Sequence, residues 1–167
     1  MQRRMLAAVC LSALLAGCST LDALNPFASS GPKMAELQPI QASAEVRVLW
    51  NNTVGKAEEL TFVPAVVDAS VYAAARDGTV ARFDDGQQVW RIKLEQPLSG
   101  GVGADERRFV VGTAKGEILA FATADGSPLW KARASSEIVA PPLVRDGLVI
   151  VRSGDHRLAA YDAVDGK

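Results

Sequence analysis

From residue 45 onwards, hydrophobic residues form short runs separated by breaks rich in aspartate and glycine. Residues 71–76 and 79–83 are rich in β-branched and aromatic side chains and flank Asp77-Gly78. Asp-Gly between two such runs predicts a two-residue type I′ hairpin turn, because both central positions of that turn need positive φ. The region shows no sustained apolar period of 3.6 residues. The pattern therefore predicts an all-β fold built from antiparallel meanders.

The same pattern of runs and breaks recurs along the chain. Trp50, Trp90 and Trp130 are forty residues apart. Asp-Gly pairs keep that spacing, at 85–86, 125–126 and 165–166. A period of about 40 residues is the length of one four-stranded blade of a β-propeller. The spacing would place the next tryptophan at position 170. We therefore expect residues 45–167 to be the N-terminal blades of a propeller that is truncated at its C-terminus.

One tryptophan per blade has a structural explanation. A small twisted sheet cannot bury both of its faces alone, and an indole covers about 150–250 Å² of a neighbour. At about 25 cal/mol per Å², this burial stabilises by roughly 4–6 kcal/mol as an upper bound. We predict that Trp50, Trp90 and Trp130 dock successive blades and do not contact a ligand.

Further strands follow from the same pattern. Residues 87–92 and 148–152 are predicted as strands that each follow an Asp-Gly turn. Residues 45–50 are predicted to begin the folded part as a strand, which would complete a blade with the C-terminal part of the protein. Residues 100–103 superficially resemble a phosphate-binding glycine loop. No predicted helix follows them, so they are interpreted as a connector between blades.

The N-terminus predicts export. Arg3 and Arg4 precede an apolar run, 5–16, which Gly17 and Cys18 follow. A basic segment, a short apolar segment and small residues before a cleavage point are typical of a secretory signal. The run of about 12 residues is too short for a membrane-spanning helix. The last four residues of this segment, 15–18, resemble the lipobox of bacterial lipoproteins. That resemblance implies cleavage between Gly17 and Cys18 and acylation of Cys18; the alternative is an ordinary signal peptide with an incidental cysteine.

The lipobox divides the chain into a signal peptide, 1–17, a lipidated tether, 18–44, and the blades, 45–167. The tether is rich in proline, glycine and serine and has neither strand nor helix periodicity. As a flexible coil it would span about 25–30 Å. The chain has 18 basic and 19 acidic side chains, a formal net charge of −1, with no basic stripe. This charge pattern argues against nucleic-acid binding.

The repeat motif resembles a known family. Residues 120–130, AFATADGSPLW, and residues 160–167, AYDAVDGK, resemble the repeat shared by quinoprotein dehydrogenases and PQQ-like propellers. Together with the lipobox and the tether, the whole chain is similar to the BamB family of lipoproteins of the outer-membrane β-barrel assembly (Bam) machine.

The resemblance implies an eight-bladed propeller, of which about three blades are present. It implies a non-enzymatic scaffold, lipid-anchored on the periplasmic side of the outer membrane. The implied partners are BamA, the other Bam complex subunits and nascent outer-membrane proteins, whose insertion the scaffold assists. No cofactor, catalytic residue or metal site is implied. The BamA-contacting loops of the family lie beyond Lys167, so only Cys18 corresponds to a functional residue.

A periplasmic dehydrogenase that uses PQQ is the main alternative, because its blades carry the same motif. Such an enzyme needs a carboxylate base and a calcium ion held by oxygen ligands. Asp68, Asp105 and Glu106 are candidates by residue type, whereas the adjacent cysteine pair of many such enzymes is absent. The sole histidine, His156, is predicted to lie solvated or locally hydrogen-bonded at a turn. A propeller that binds carbohydrate or another ligand is a third interpretation.

Overall fold

The computed structural model describes residues 36–37, 40 and 43–167. The chain divides into two units, Met1–Glu45 and Val46–Lys167. All regular secondary structure among the described residues is β and lies in the second unit, as predicted. The eleven strands are β1 (Ala65–Val67), β2 (Ser70–Ala74), β3 (Thr79–Asp84), β4 (Gln87–Lys93), β5 (Leu98–Ala104), β6 (Arg108–Thr113), β7 (Glu117–Ala122), β8 (Pro128–Arg133), β9 (Leu143–Arg145), β10 (Leu148–Arg152) and β11 (Leu158–Asp162).

The strands form three antiparallel sheets that follow chain order. The first sheet is β1-β2-β3-β4, the second is β5-β6-β7-β8 and the third is β9-β10-β11. Each strand pairs with the one before it, so every sheet is a meander. The prediction of successive antiparallel propeller blades is therefore confirmed for this part of the chain.

The turn prediction is right at two Asp-Gly pairs and wrong at one. Asp85-Gly86 and Asp146-Gly147 have positive φ at both residues, at 48° and 80° and at 51° and 77°. At Asp77-Gly78 only the glycine does, with φ of 91°. The loop there, 75–78, has four residues, and the Gly78 N–H donates to the Ala75 carbonyl oxygen at 3.1 Å. The Asp77 carboxylate accepts from the Thr79 N–H at 3.0 Å, which holds this longer loop closed.

Strands β5 to β7 of the second sheet are buried on both faces, because their side chains alternate between the two neighbouring sheets. In β6, Phe109 and Val111 belong to an apolar cluster shared with Tyr72 of the first sheet. Val110, between them, belongs to a second cluster shared with Val149 of the third sheet. This period of two is the expected consequence of strand geometry. The second sheet therefore lies between the other two.

Residues 100–103 are not a connector between blades, as the sequence interpretation held. They lie inside β5, a strand in which every residue up to Gly103 is buried. A Cβ atom at Gly101 would lie 2.5 Å from the Val63 carbonyl oxygen, and one at Gly100 would lie 2.8 Å from that of Ala140. A Cβ at Gly103 would overlap the Pro142 carbonyl oxygen. Glycine is required because the backbones of neighbouring loops pack directly on this strand.

The predicted strand over residues 45–50 is also absent. Among residues 43–167, the first strand begins at Ala65. No described strand pairs with residues 45–50, so their backbone lacks the ladder of hydrogen bonds that defines a strand. The segment that follows is held by side chains instead. The Arg91 guanidinium donates to the carbonyl oxygens of Thr53 and Val54, at 2.7 and 3.1 Å.

We predict that Gly103→Ala lowers the free energy of unfolding by about 1–3 kcal/mol, the usual cost of overpacking. The added methyl group would meet the Pro142 backbone, which cannot rotate away. Gly154→Ala is the matched control, because its methyl group would meet only the flexible Glu137 side chain at 3.0 Å. Urea unfolding of both variants measures the difference. Equal losses of stability would contradict the close-packing argument.

Candidate functional site

The predicted lipid-attachment site cannot be placed in the fold. Gly17 and Cys18 both lie outside the described residues. Acylation of Cys18, and the boundaries of the signal peptide and the tether, therefore stay predictions. The site that the structure does describe consists of the contacts between sheets and the loops at one end of the sheets.

Trp90 reaches from the first sheet to the second. Its ring lies 5.1 Å from the Phe109 ring and 6.1 Å from the Tyr72 ring, measured between centroids. Its indole N–H donates a hydrogen bond of 3.0 Å to the Thr123 carbonyl oxygen, in the loop between β7 and β8. The side chain therefore contributes both apolar area and a directional polar contact across the interface.

Trp130 makes the equivalent contact between the second sheet and the third. Its indole N–H donates to the Ala163 carbonyl oxygen at 2.9 Å, just after β11. In both contacts the acceptor follows the tryptophan by 33 residues. The ring also covers Gly166, where a Cβ atom would lie 2.6 Å from Cε3 of the indole. The repeat in the sequence thus corresponds to a repeated contact in space.

Trp50 differs from the other two because it lies in no strand. It is 40% exposed and its ring lies 6.2 Å from that of Phe83. The indole covers Gly86, where an added Cβ would lie 2.6 Å from Cγ of Trp50. Trp50 precedes Gly86 by the same number of residues as Trp130 precedes Gly166. Trp50 therefore covers the turn glycine of the first sheet as Trp130 covers Gly166, but its indole N–H donates to none of the described residues.

Two arginines share the carbonyl acceptors of the tryptophans. The Arg82 guanidinium donates to the Thr123 carbonyl oxygen at 3.1 Å, and that of Arg108 donates to the Ala163 carbonyl oxygen. Neither arginine is predicted from the sequence. Arg82 comes from the third strand of its sheet and Arg108 from the second strand of the next. They occupy different positions in the repeat, so the forty-residue spacing contains no signal for them.

A cavity of about 670 Å³ lies among the loops at one end of the sheets. Its lining comes from the end of β1, the β5–β6 turn and the β9–β10 turn, which are similar places in the three sheets. Its walls combine valines with charged groups, among them Val66, Val164, Asp105, Glu106, Arg107 and Arg145. This mixture gives the cavity no dominant charge.

The carboxylates considered for a dehydrogenase do not form a ligand set. The Asp105 carboxylate accepts from the N–H groups of Arg107 and Arg108, at 2.8 and 2.7 Å, and thereby closes the β5–β6 turn. Glu106 lines the same cavity, whereas Asp68 lies at the β1–β2 turn with φ of 50°. Within the described part of the chain, no group of three or more His, Cys, Asp or Glu residues could hold a metal ion.

His156 lies in the β10–β11 turn, exposed and with φ of 65°. Its backbone N–H donates to the Ser153 carbonyl oxygen at 3.1 Å. This is the locally hydrogen-bonded turn position that the sequence predicted.

We also find no helix among the described residues with the length and apolar character of a membrane span.

Lysines of the outer strands lower the pKa of two carboxyl groups. The ammonium group of Lys93 in β4 hydrogen-bonds Asp77, and with the Thr79 N–H it lowers the pKa of Asp77 from 3.8 to about 2. Lys131 in β8 lies 2.5 Å from a carboxylate oxygen of Glu117 and lowers the pKa of that group by the same kind of hydrogen bond. Each pair joins neighbouring parts of its own sheet, which is the first sheet for Lys93 and Asp77 and the second sheet for Lys131 and Glu117.

Comparison with known proteins identifies the family. The family described as "Outer membrane protein assembly factor BamB" matches residues 76–167, which is more than half of the chain. The chain belongs to the BamB family. It is 39% identical over 158 residues to a BamB protein of Bordetella pertussis, an alignment that covers 92% of this chain and 41% of that protein. The chain thus spans about two fifths of this BamB relative.

Solved structures agree on the fold. BamB from Moraxella catarrhalis is 28% identical with a TM-score of 0.58, over 63% of this chain and 33% of that one. A quinohemoprotein alcohol dehydrogenase from Pseudomonas putida HK5 has a TM-score of 0.61 at 21% identity, over 72% of this chain and 21% of that one. At that identity the likeness to the dehydrogenase concerns the fold alone. The BamB family and the dehydrogenases therefore share the blade architecture.

We predict that Trp90→Ala lowers the free energy of unfolding by up to about 3–5 kcal/mol, the usual cost of truncating a buried aromatic side chain, because the partly buried Trp90 packs against the first apolar cluster. Trp90→Phe keeps an aromatic ring but removes the N–H donor to Thr123, and should lose about 1 kcal/mol through the hydrogen bond. Trp50→Ala is the control and should cost less, because this ring is 40% exposed. Chemical denaturation gives all three values. An unchanged stability of Trp90→Ala would disprove the docking role.

Acid should weaken the fold in part through Asp77. A carboxyl group with a lowered pKa stabilises the fold above its unfolded pKa, and the contribution is lost as the pH falls through the folded value. For Asp77 this window runs from 3.8 to about 2. We expect Asp77→Asn to flatten the decline of stability in this window, measured by urea unfolding against pH. Asp68→Asn is the control, because no described residue bonds the Asp68 carboxylate; equal effects would contradict the assignment.

Proposed function

We propose that this protein is a lipid-anchored, non-enzymatic scaffold of the Bam complex. In this proposal it binds BamA and assists the folding and insertion of outer-membrane proteins from the periplasmic side of the outer membrane. The observation that carries the proposal is the BamB family match over residues 76–167. The alignment with the Bordetella pertussis protein extends it to 92% of the chain.

The described loops also favour a scaffold over an enzyme. A dehydrogenase would need a carboxylate free to act as a base and several oxygen ligands directed at one ion. The Asp105 carboxylate instead holds two backbone N–H groups of its own turn. Its other contact is with the Arg108 guanidinium, at 3.4 Å. The Asp105 carboxylate is thus used to close a turn and to form an ion pair.

Anchoring by Cys18 supplies the membrane association that this function requires. Several acyl chains on one residue give stable anchoring, because two such signals already suffice. The tether would then place the blades away from the bilayer by a span of about 25–30 Å. A propeller so placed could present its loops to a partner in the same membrane.

The test uses the tagged full-length lipoprotein, extracted from outer membranes with detergent. We expect BamA to co-purify with it. Cys18→Ser should remove the protein from the outer-membrane fraction, because both acylation and lipobox cleavage depend on this cysteine. Cys10→Ser is the matched control, because Cys10 lies in the predicted signal peptide and should leave anchoring unchanged.

Two results would contradict the proposal. Anchoring that is retained in Cys18→Ser would disprove lipid attachment at this residue. Failure of BamA to co-purify, combined with reduction of a dye by the purified protein in the presence of PQQ, calcium and an alcohol, would favour the dehydrogenase.

A further inference from the structure

The chain contains five Asp-Gly steps, and such steps can rearrange without an enzyme. The glycine nitrogen attacks Cγ of the preceding aspartic acid, a bond forms between them, and the side-chain hydroxyl leaves as water with the amide proton. Water then opens the cyclic imide at either carbonyl, giving aspartate again or isoaspartate. Glycine favours the reaction because no Cβ atom blocks the approach. The five steps are listed in chain order as 77–78, 85–86, 125–126, 146–147 and 165–166.

In three of the five steps, hydrogen bonds restrain both reacting groups, which are the glycine N–H and the aspartate carboxylate. The glycine N–H is hydrogen-bonded in each, from Gly78 to Ala75, from Gly126 to Ala122 and from Gly166 to Asp162. The aspartate carboxylate in each also accepts a backbone N–H, from Thr79, Ser127 and Lys167. An attack would therefore have to break two hydrogen bonds at each of these steps.

Asp85-Gly86 is held by its neighbours instead. The Trp50 ring lies over Gly86, close enough that a Cβ there would be 2.6 Å from Cγ of the indole. The Gly86 carbonyl oxygen accepts a 2.8 Å hydrogen bond from the Asn52 side chain. The turn also joins β3 and β4, which are six and seven residues long. Rotation of this peptide would have to displace both side chains.

Asp146-Gly147 has the least restraint on its two reacting groups, although the Gly147 carbonyl oxygen accepts a hydrogen bond from the Ala163 N–H at 2.9 Å, as that of Gly86 does from Asn52. The Asp146 side chain is 87% exposed, and its ion-pair contact is with the exposed Arg145 at 3.5 Å. Nothing lies within 4 Å of the position of a Cβ at Gly147. Among residues 43–167, none accepts a hydrogen bond from the Gly147 N–H. The turn closes β9, a strand of three residues, so its local opening costs little.

We propose that Asp146 is the residue at which the folded chain isomerises to isoaspartate, through an imide closed by the Gly147 nitrogen. The product has the same mass and inserts one extra carbon into the backbone of a two-residue turn. That turn lines the cavity among the loops at one end of the sheets, and the Gly147 carbonyl oxygen accepts the Ala163 N–H at 2.9 Å. Isomerisation would therefore alter the part of this cavity that the third sheet contributes.

The experiment incubates the folded chain at neutral pH in water enriched in oxygen-18. Each passage through the imide inserts one heavy oxygen, which mass spectrometry of proteolytic peptides locates. We expect label and isoaspartate at Asp146 to accumulate several-fold faster than at each of the other four steps. In concentrated urea all five steps should label at similar rates, because each has glycine as the next residue.

Two variants sharpen the test. Asp146→Glu cannot close the five-membered imide and should abolish labelling at this turn, with an unchanged circular dichroism spectrum as the check of folding. Trp50→Ala should raise labelling at Asp85, because it uncovers Gly86. The proposal is overturned if the folded chain labels Asp146 no faster than Asp125, or if Asp85 labels first in the unmodified chain.

Discussion

The indole N–H groups of Trp90 and Trp130 each donate to a carbonyl oxygen of the following sheet, at 3.0 and 2.9 Å. A small sheet with two apolar faces is unstable unless both faces are covered. These contacts hold a neighbouring sheet against such a face. Tryptophan suits the position because its ring supplies area while its single N–H fixes where the next sheet must lie. Arg82 and Arg108 add a second donor to the same two carbonyl groups.

The close approach of loops to β5 follows from the same requirement. The second sheet has neighbours on both sides, so its first strand, β5, has no room for side chains where the loops cross it. Gly100, Gly101 and Gly103 remove those side chains and let the backbones of residues 63, 140 and 142 approach. Rigid stacking of this kind leaves the connecting loops free to vary in length, as the turns between third and fourth strands do.

A stack of blades held by internal contacts suits a protein that binds others by its surface. Near the cavity, Asp105 closes its own turn and pairs with Arg108, and Asp146 pairs with Arg145. The indole and guanidinium groups between the sheets bond to backbone carbonyl oxygens. These uses agree with the scaffold function proposed for this member of the BamB family. The likeness to quinoprotein dehydrogenases shows how one architecture serves two roles, because blades supply the frame and loops supply the chemistry.

Much of the fold follows from local sequence. The Asp-Gly turns and the alternation of apolar residues predict the strands, because each depends on neighbours within one hairpin. The tryptophan spacing predicts the blades, because it repeats once per sheet. The lipobox predicts anchoring at Cys18 for the same reason, since a short contiguous motif defines it. The sequence predicts a connector at residues 100–103, whereas the structure has a strand there. A glycine run looks the same in a loop and in a crowded strand, and only the loops packed on β5 show which of the two it is.

Contacts between distant residues could be decided only by the tertiary structure. Arg82 and Arg108 donate to carbonyl oxygens 41 and 55 residues further along the chain. The forty-residue repeat does not predict either contact. Residues 45–50 have strand composition, yet a strand forms only where a partner backbone offers hydrogen bonds. The five Asp-Gly steps look alike in the sequence and differ in their surroundings. Sequence alone therefore determined the period and the blades. The tertiary structure decided which Asp-Gly pairs have positive φ at both residues, and which identical motifs are covered and which are exposed.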